Sequence, residues 1–175
     1  MASRKRAPVQ IPLPPPVPPG AVYVRIVGLK TKPPGNGPQG MTRAAAFGRM
    51  AMRRKQRDVT RAHVVAAGAP VTEDTLSPVM RFMLATGQVK SAPLGHPRPP
   101  WAVHVTRIAP SKGLDEHDNL PSALKNVIDG VADALGLKND RDPRVTWIIG
   151  QRQGPRGFYA VDIIIESVAA KEVSA

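Results

Sequence analysis

The clearest pattern of apolar and polar positions lies between residues 121 and 136. Apolar residues recur there at the 3.6-residue period of a helix face: Leu124, Val127, Ile128, Val131 and Leu135. Pro121 suits the first turn of such a helix, and Gly136 suits the position just after its end. The pattern therefore predicts a helix from Pro121 to Leu135.

Other segments carry the patterns of strands. Residues 22–29 (VYVRIVGL) are rich in β-branched side chains, and residues 101–108 (WAVHVTRI) alternate between two faces. Residues 145–150 and 158–166 flank turn residues, which predicts a closing β-hairpin. Asp162, within the last strand, is expected to face outward.

A second helix is predicted from Thr42 towards Gly68, with Thr42 as its N-cap. Apolar side chains on one side are expected to pack inward: Phe47, Met50, Ala51, Ala62 and Val65. Thr72 to Ala85 resembles a shorter helix that Pro78 interrupts. The expected fold is α+β, a small antiparallel or mixed sheet with two main helices.

The 175 residues suffice for one compact domain, expected over 21–168. Residues 1–20 contain seven prolines and read as an extended, flexible arm, and 169–175 read as a tail. The absence of cysteine removes disulfides and thiolate metal sites and favours a cytoplasmic protein. No apolar run approaches the roughly 20 residues that a membrane helix needs.

The charge changes the picture, because 25 Lys and Arg stand against 13 Asp and Glu. A net charge of +12 favours a polyanionic partner, with nucleic acid first. The helix from Thr42 is especially basic, and the candidate DNA-binding residues lie on it: Arg49, Arg53, Arg54, Arg57 and Arg61. The alternative is a solvated helix face. Seven aromatic Phe, Trp and Tyr residues are too few for extensive base stacking, so backbone charge should dominate.

Two acidic groups flank the helix that starts near Pro121. Glu116 and Asp118, in the stretch LDEHDNL, point to the same side if the backbone is extended, and NDRDP at 139–143 follows the helix. If the sheet brings the groups together, their carboxylates would suit Mg²⁺ or Mn²⁺. Such an ion would explain acids in a protein that binds phosphates.

The residues from Asp118 to Gly136 read D-N-L-x-x-x-L-K-x-x-x-D-G-x-A-D-x-L-G, and N-D-x-D-P-R-V follows. This run resembles the RusA-type Holliday junction resolvases, crossover junction endodeoxyribonucleases often carried by phages and prophages. The resemblance covers roughly residues 101–166. It implies a RusA-like fold and a homodimeric, Mg²⁺-dependent endonuclease that resolves four-way DNA junctions by paired symmetric nicks in recombination and repair.

The resemblance also implies roles for single residues. The implied catalytic residues are Asp118, Lys125, Asp140 and Glu116, and the implied metal ligands are Glu116, Asp118 and Asp140. Supporting positions would be Asn119, Asp129 and Asn139. Glu116 stands where the family has Asp, with Asp115 beside it, so either of these two acids is a candidate ligand. Asn139 replaces the first acid of an Asp-Asp pair, with Asp142 as an alternate, and Lys125 lies farther from Asp118 than in the best-known member.

Each candidate also has a structural interpretation. Asp118 and Asn119 could cap the helix and favour its dipole, and Lys125 with Asp129 could be an ordinary i,i+4 ion pair. Asp142 before Pro143 is typical of a turn. His104 and His117 are expected to be exposed or packed histidines, since acids are the better Mg²⁺ ligands.

The expected function is a metal-dependent endonuclease on branched double-stranded DNA. One alternative is a catalytically silent, basic DNA-binding protein of the same fold, favoured by Asn139 and Glu116. Another is a nuclease of this fold that acts on flaps or other intermediates.

Overall fold

The structure is a computed structural model that describes residues 11–31, 43–68, 97–111, 113–114 and 119–168. Its elements follow the chain as β1 (Val22–Val27), α1 (Arg43–Ala66), β2 (Trp101–Ala109), α2 (Asn119–Ala134), β3 (Val145–Gln153) and β4 (Ala160–Ser167). The predicted short helix from Thr72 and the tail 169–175 lie outside the described residues. Among the described helices, none has the length and apolar character needed to cross a membrane.

The four strands form one mixed sheet in the order β1-β4-β2-β3, which confirms the predicted α+β class. β4 pairs antiparallel with both β1 and β2, whereas β2 and β3 are parallel. A parallel pair needs a crossover connection, and α2 lies within that connection. The carboxyl ends of β1, β2 and β3 therefore all lie at the same end of the sheet.

The predicted hairpin between the last two strands is wrong, because β2 lies between β3 and β4. The burial of the two strands gives the reason. The first six residues of β4 are all buried, as expected for a central strand with neighbours on both sides, whereas β3 stays partly exposed at the sheet edge. Turn residues between two strands do not decide which strands pair.

The core lies between one sheet face and the helices. Its largest fully buried side chains on α2 and after it are those of the predicted stripe, including Leu124, Val127, Val131 and Leu135. The helix ends as predicted at Gly136, which has φ 65°. There the Leu137 amide donates to the Ala132 carbonyl at 2.9 Å and the Gly136 amide to Asp133 at 3.3 Å, the Schellman arrangement.

The predicted inward face of α1 is wrong for four of its five residues. Phe47 and Met50 are 60% and 59% exposed, and Ala51 and Ala62 are also exposed. Val65 is half-buried and packs against the core, as predicted.

The face of α1 that packs inward carries Gln56, Thr60 and Val64 instead. The Gln56 amide is buried because it is hydrogen-bonded: it donates to the Lys30 carbonyl at 2.7 Å and accepts from the Asn126 amide at 3.1 Å. A search for periodic apolar residues does not detect an inward face that carries polar side chains.

α1 and α2 approach each other most closely at Gly130. A Cβ atom at this position would lie 2.5 Å from the Arg57 carbonyl oxygen and 2.9 Å from Thr60 Cβ. The first of these neighbours is backbone and cannot move without moving α1. The absence of a side chain at Gly130 therefore allows this helix packing.

Gly130→Ala should lower the free energy of unfolding by about 1–3 kcal/mol, because the added methyl must push α1 away from α2. Gly48→Ala is the matched control, since a Cβ there meets nothing within 4 Å and alanine favours an exposed helix. Urea unfolding of both variants checks this. Equal stability of the two variants would contradict the close contact.

Asp162 points away from the helices, as predicted, but it is not exposed to solvent, since only 2% of the residue is accessible. It lies on the sheet face opposite the helices, where Arg25 binds it through Nε at 2.6 Å and Nη2 at 2.8 Å. The Arg152 Nη2 atom donates at 2.7 Å and the Tyr23 hydroxyl at 3.1 Å. Burial of this carboxylate is tolerated because cationic and hydroxyl donors surround it.

The same two arginines hold part of the predicted arm. Arg25 Nη1 donates to the Pro12 carbonyl at 2.5 Å, and Arg152 Nη1 donates to the Leu13 carbonyl at 3.1 Å. The side chain of Leu13 is 83% exposed, so the arm is bound through its backbone. Asp162 thus connects the sheet to the arm through two guanidinium groups.

Candidate active site

The first acidic group lies outside the described residues: Asp115, Glu116, His117 and Asp118. Its flanks are described. Asn119 begins α2 with an exposed side chain. On the other flank, the Leu114 amide donates to Gln151 Oε1 at 2.7 Å, and Gln151 Nε2 donates to the Leu114 carbonyl at 2.6 Å. This pair of bonds ties the chain to β3 just before the acidic stretch.

Gln151 was not among the residues predicted from the sequence. The feature that could have identified Gln151 is its polar side chain on the face of β3 that packs against the helices, in register with Arg107. A side chain placed there needs a hydrogen-bond partner, and the Leu114 backbone provides it.

Lys125 lies between two of the predicted acids. Its Nζ atom is 2.5 Å from Asp129 Oδ1 and 3.0 Å from Asp140 Oδ2. The first contact follows from the helix, because residues four apart share a face. The second arises because the loop after Gly136 folds back along α2, where Trp147 Nε1 donates to the Asp140 carbonyl at 2.7 Å.

These contacts shift two pKa values. The hydrogen bond from Lys125 lowers the pKa of Asp140 from its ordinary 3.8. Burial works to lower the pKa of Lys125, but the hydrogen bonds to Asp129 and Asp140 outweigh it and the pKa is raised. The stabilisation through Asp140 is therefore present above pH 3.8 and is lost as the pH falls through the lowered value.

The other two predicted site residues of the loop, Asn139 and Asp142, have local partners. Asn139 Oδ1 accepts from the Arg141 amide at 2.9 Å, which is an Asx turn. Asp142 accepts from Arg144 Nε at 2.9 Å and Nη2 at 2.8 Å and from the Arg144 amide at 3.0 Å. The Arg144 guanidinium holds the pKa of Asp142 well below its usual range. These are the contacts of residues that order a turn.

The Lys125 cluster opens into a cleft of about 190 Å³. The cleft is lined by Arg57, Lys125, Asp129, Ala132, Asp133, Leu137, Lys138, Asn139 and Asp140. A second depression of about 400 Å³ lies beside it, lined by Arg53, Arg54, Arg57, Asp58, Asn126 and Asp129. Arg57 and Asp129 line both, so the basic helix and the lysine cluster share one surface.

The predicted DNA-binding arginines differ in their contacts. Arg57 makes a two-point ion pair with Asp133, through Nε at 2.5 Å and Nη2 at 2.6 Å. This hydrogen bonding raises the pKa of Arg57. Arg54 lies 3.8 Å from Asp58, and both side chains are well exposed. Arg49, Arg53 and Arg61 are exposed along the same helix.

Among the described residues, no group of three or more His, Asp or Glu side chains is placed to hold a metal ion. Asp140 fits as one ligand, because its lowered pKa keeps it ionised and its side chain is only partly buried. Two of the three predicted ligands, Glu116 and Asp118, belong to the stretch that the structure does not describe.

Of the two histidines considered from the sequence, His104 is partly exposed, and its Nε2 atom lies 3.0 Å from Glu166 Oε1 on the sheet face opposite the helices. His117 lies outside the described residues.

No protein-family model matches the chain, and no curated protein matches it significantly. The described residues form a small α+β fold with a four-stranded mixed sheet and two helices. The resemblance to junction resolvases therefore stays a prediction based on the residues themselves.

Lys125→Met should raise the pKa of Asp140 towards or above 3.8, because the ammonium that favours the ionised form is removed. A side-chain carboxyl NMR titration measures this. Lys138→Met is the control, because it removes a lysine from the same cleft and leaves the contact between Lys125 and Asp140 in place. An unshifted Asp140 in Lys125→Met would disprove the coupling.

Proposed function

We propose that this protein is a metal-dependent endonuclease that acts on branched DNA and resolves four-way junctions as a homodimer. The observation that supports it best is the position of Lys125 between Asp129 and Asp140, in a cleft that continues into the arginine-bearing face of α1. Carboxylates and an ammonium beside a basic surface are the groups that phosphodiester hydrolysis uses.

In this proposal Glu116, Asp118 and Asp140 hold Mg²⁺ or Mn²⁺, with Asp115 as an alternate. The bound ion would supply activation of water and neutralisation of charge on the scissile phosphate. Lys125 donates to a phosphate oxygen as negative charge develops there. Asp129 orients the Lys125 ammonium through their contact at 2.5 Å. Asn119, at the first position of α2, orients a neighbouring acid.

The arginines of α1 bind the DNA backbone. Arg53, Arg54 and Arg57 line the depression that joins the cleft, so a strand bound there would pass beside Lys125. Arg57 is held by Asp133, which fixes its guanidinium at the junction of the two depressions. Two copies related by a two-fold axis would engage two equivalent strands of a four-way junction.

A catalytically silent DNA-binding protein is the competing proposal. Asn139 is neutral and bound in a turn, and the Lys125 ammonium already pairs with both Asp129 and Asp140. Both features suit a surface that binds phosphate without hydrolysis. A nuclease of this fold that prefers flaps is the third possibility, and substrate choice separates it from a resolvase.

With Mg²⁺ or Mn²⁺, the protein should nick a synthetic four-way junction at paired, symmetric positions, with no cleavage in EDTA. Asp118→Asn should abolish nicking while junction binding stays equal or tighter, and Lys125→Met should slow it by about 10²-fold. Gel assays on junction, flap and linear duplex measure this.

The matched control for the cleavage experiment is Glu166→Gln, on the sheet face opposite the helices, which should cut at the normal rate. Tight junction binding without nicks under either metal would favour the silent binder. Equal cutting of flaps would favour the third possibility, and equal loss of binding and cutting in Asp118→Asn would indicate a structural role for that acid.

Replacing Arg53 and Arg57 together by Ala should weaken junction binding and reduce the slope of log K against log salt by about 2, one phosphate contact for each arginine. Titrations in EDTA at several salt concentrations measure the slope. Arg98→Ala is the control, because Arg98 is exposed just before β2, at the opposite edge of the sheet. An unchanged slope in the double variant would rule out α1 as the DNA-binding surface.

A further inference from the structure

Arg107 is a buried charge that the proposed mechanism does not use. It lies on β2 in register with Val161, on the same face as Val103 and Val105, and only 6% of the residue is exposed. This face packs against the helices. A guanidinium in such a place is costly unless an anion or several acceptors compensate it.

The acceptors that Arg107 has are neutral and few. Its Nε atom lies 3.5 Å from the Thr31 carbonyl oxygen, at the limit of a hydrogen bond, and Nη2 donates to Ser111 Oγ at 3.2 Å. No acceptor for Nη1 occurs among the residues that the structure describes.

The carboxylates of the described residues all have other partners. Each pairs with a basic side chain other than Arg107: Asp58 with Arg54, Asp129 and Asp140 with Lys125, Asp133 with Arg57, Asp142 with Arg144, Asp162 with Arg25 and Arg152, and Glu166 with His104. None of these ion pairs includes Arg107. The described part of the chain therefore leaves this buried cation uncompensated.

Thr31 follows β1 and Ser111 follows β2, so the Arg107 guanidinium lies at the end of the sheet that holds the carboxyl ends of both strands.

A second cation lies at the same edge. The cation is Lys30, the residue before Thr31, and its Nζ atom is 5.4 Å from the centre of the Tyr159 ring. Burial lowers the pKa of Arg107, yet an arginine stays charged at any ordinary pH. Two positive groups with neutral partners favour a doubly charged anion over a neutral ligand.

We infer that Arg107 binds a phosphate group at the carboxyl ends of β1 and β2. A planar guanidinium presents its N–H donors in the geometry that phosphate oxygens accept, and burial strengthens the contact. The phosphate can belong to a DNA backbone or be free in solution. The DNA form rests on the proposed function, whereas the phosphate site itself does not.

The first experiment uses inorganic phosphate alone and compares melting temperatures in sodium phosphate and in sodium chloride of equal ionic strength. At a phosphate concentration about ten times the dissociation constant, the melting temperature of the wild-type protein should be about 3 °C higher than in chloride. Arg156→Met, which removes an exposed arginine near the same edge, should keep the rise. Arg107→Met should lose it, and Arg107→Lys should keep less than half, which covers the case that Arg107→Met does not fold.

Two outcomes would overturn the phosphate site. One is a wild-type protein with no rise beyond that in chloride, which would mean that a carboxylate of the chain already compensates Arg107. The other is an equal rise in wild type, Arg107→Met and Arg107→Lys, which would place the anion elsewhere.

A second experiment identifies the source of the phosphate. Arg107→Met should reduce the salt slope of junction binding in EDTA by about 1 if the ligand is the DNA backbone. An unchanged slope, together with loss of the melting shift, would assign the site to free phosphate. If Arg107→Met loses the rise in melting temperature and the wild-type protein binds no DNA, the phosphate site is supported and the nuclease proposal is refuted. Failure of the phosphate site can therefore be told from failure of the proposed function.

Discussion

The contact between the Arg57 carbonyl and Gly130 governs where the basic helix lies on the rest of the molecule. Because no side chain separates the two backbones, Arg57 reaches Asp133 and Gln56 reaches Asn126. The same approach joins the arginine-lined depression to the Lys125 cleft. A wider helix spacing would separate the surface proposed to bind DNA from the groups proposed to act on it.

Local sequence signals predicted the elements better than their arrangement. α2 was predictable because its apolar period and Gly136 are both local features. The partner of β4 was not, since pairing between β2 and β4 depends on contacts across more than 50 residues of chain, and a turn of glycine and proline says nothing about them. The buried face of α1 was missed because the amide of Gln56 is satisfied by distant groups.

The residues of the candidate site also fall into those that local spacing predicts and those that depend on distant contacts. Lys125 and Asp129 meet through helix geometry alone, so spacing could place them together. Asp140 joins them only because the loop after Gly136 reverses and Trp147 holds it. Asp162 and Arg107 could not be predicted as buried, since a charge in a strand is tolerated only when residues from other strands, or a ligand, compensate it.

The arm before β1 shows a different use of proline. Arg25 and Arg152 bind the carbonyl oxygens of Pro12 and Leu13, and these atoms are present whatever the side chains are. What the arginines require is an extended backbone that presents its carbonyls at fixed positions. Prolines restrict the unbound arm to such shapes, so little conformational entropy is lost on docking. The attachment should therefore tolerate changes of side chain that keep the backbone stiff, and should weaken when glycine replaces proline.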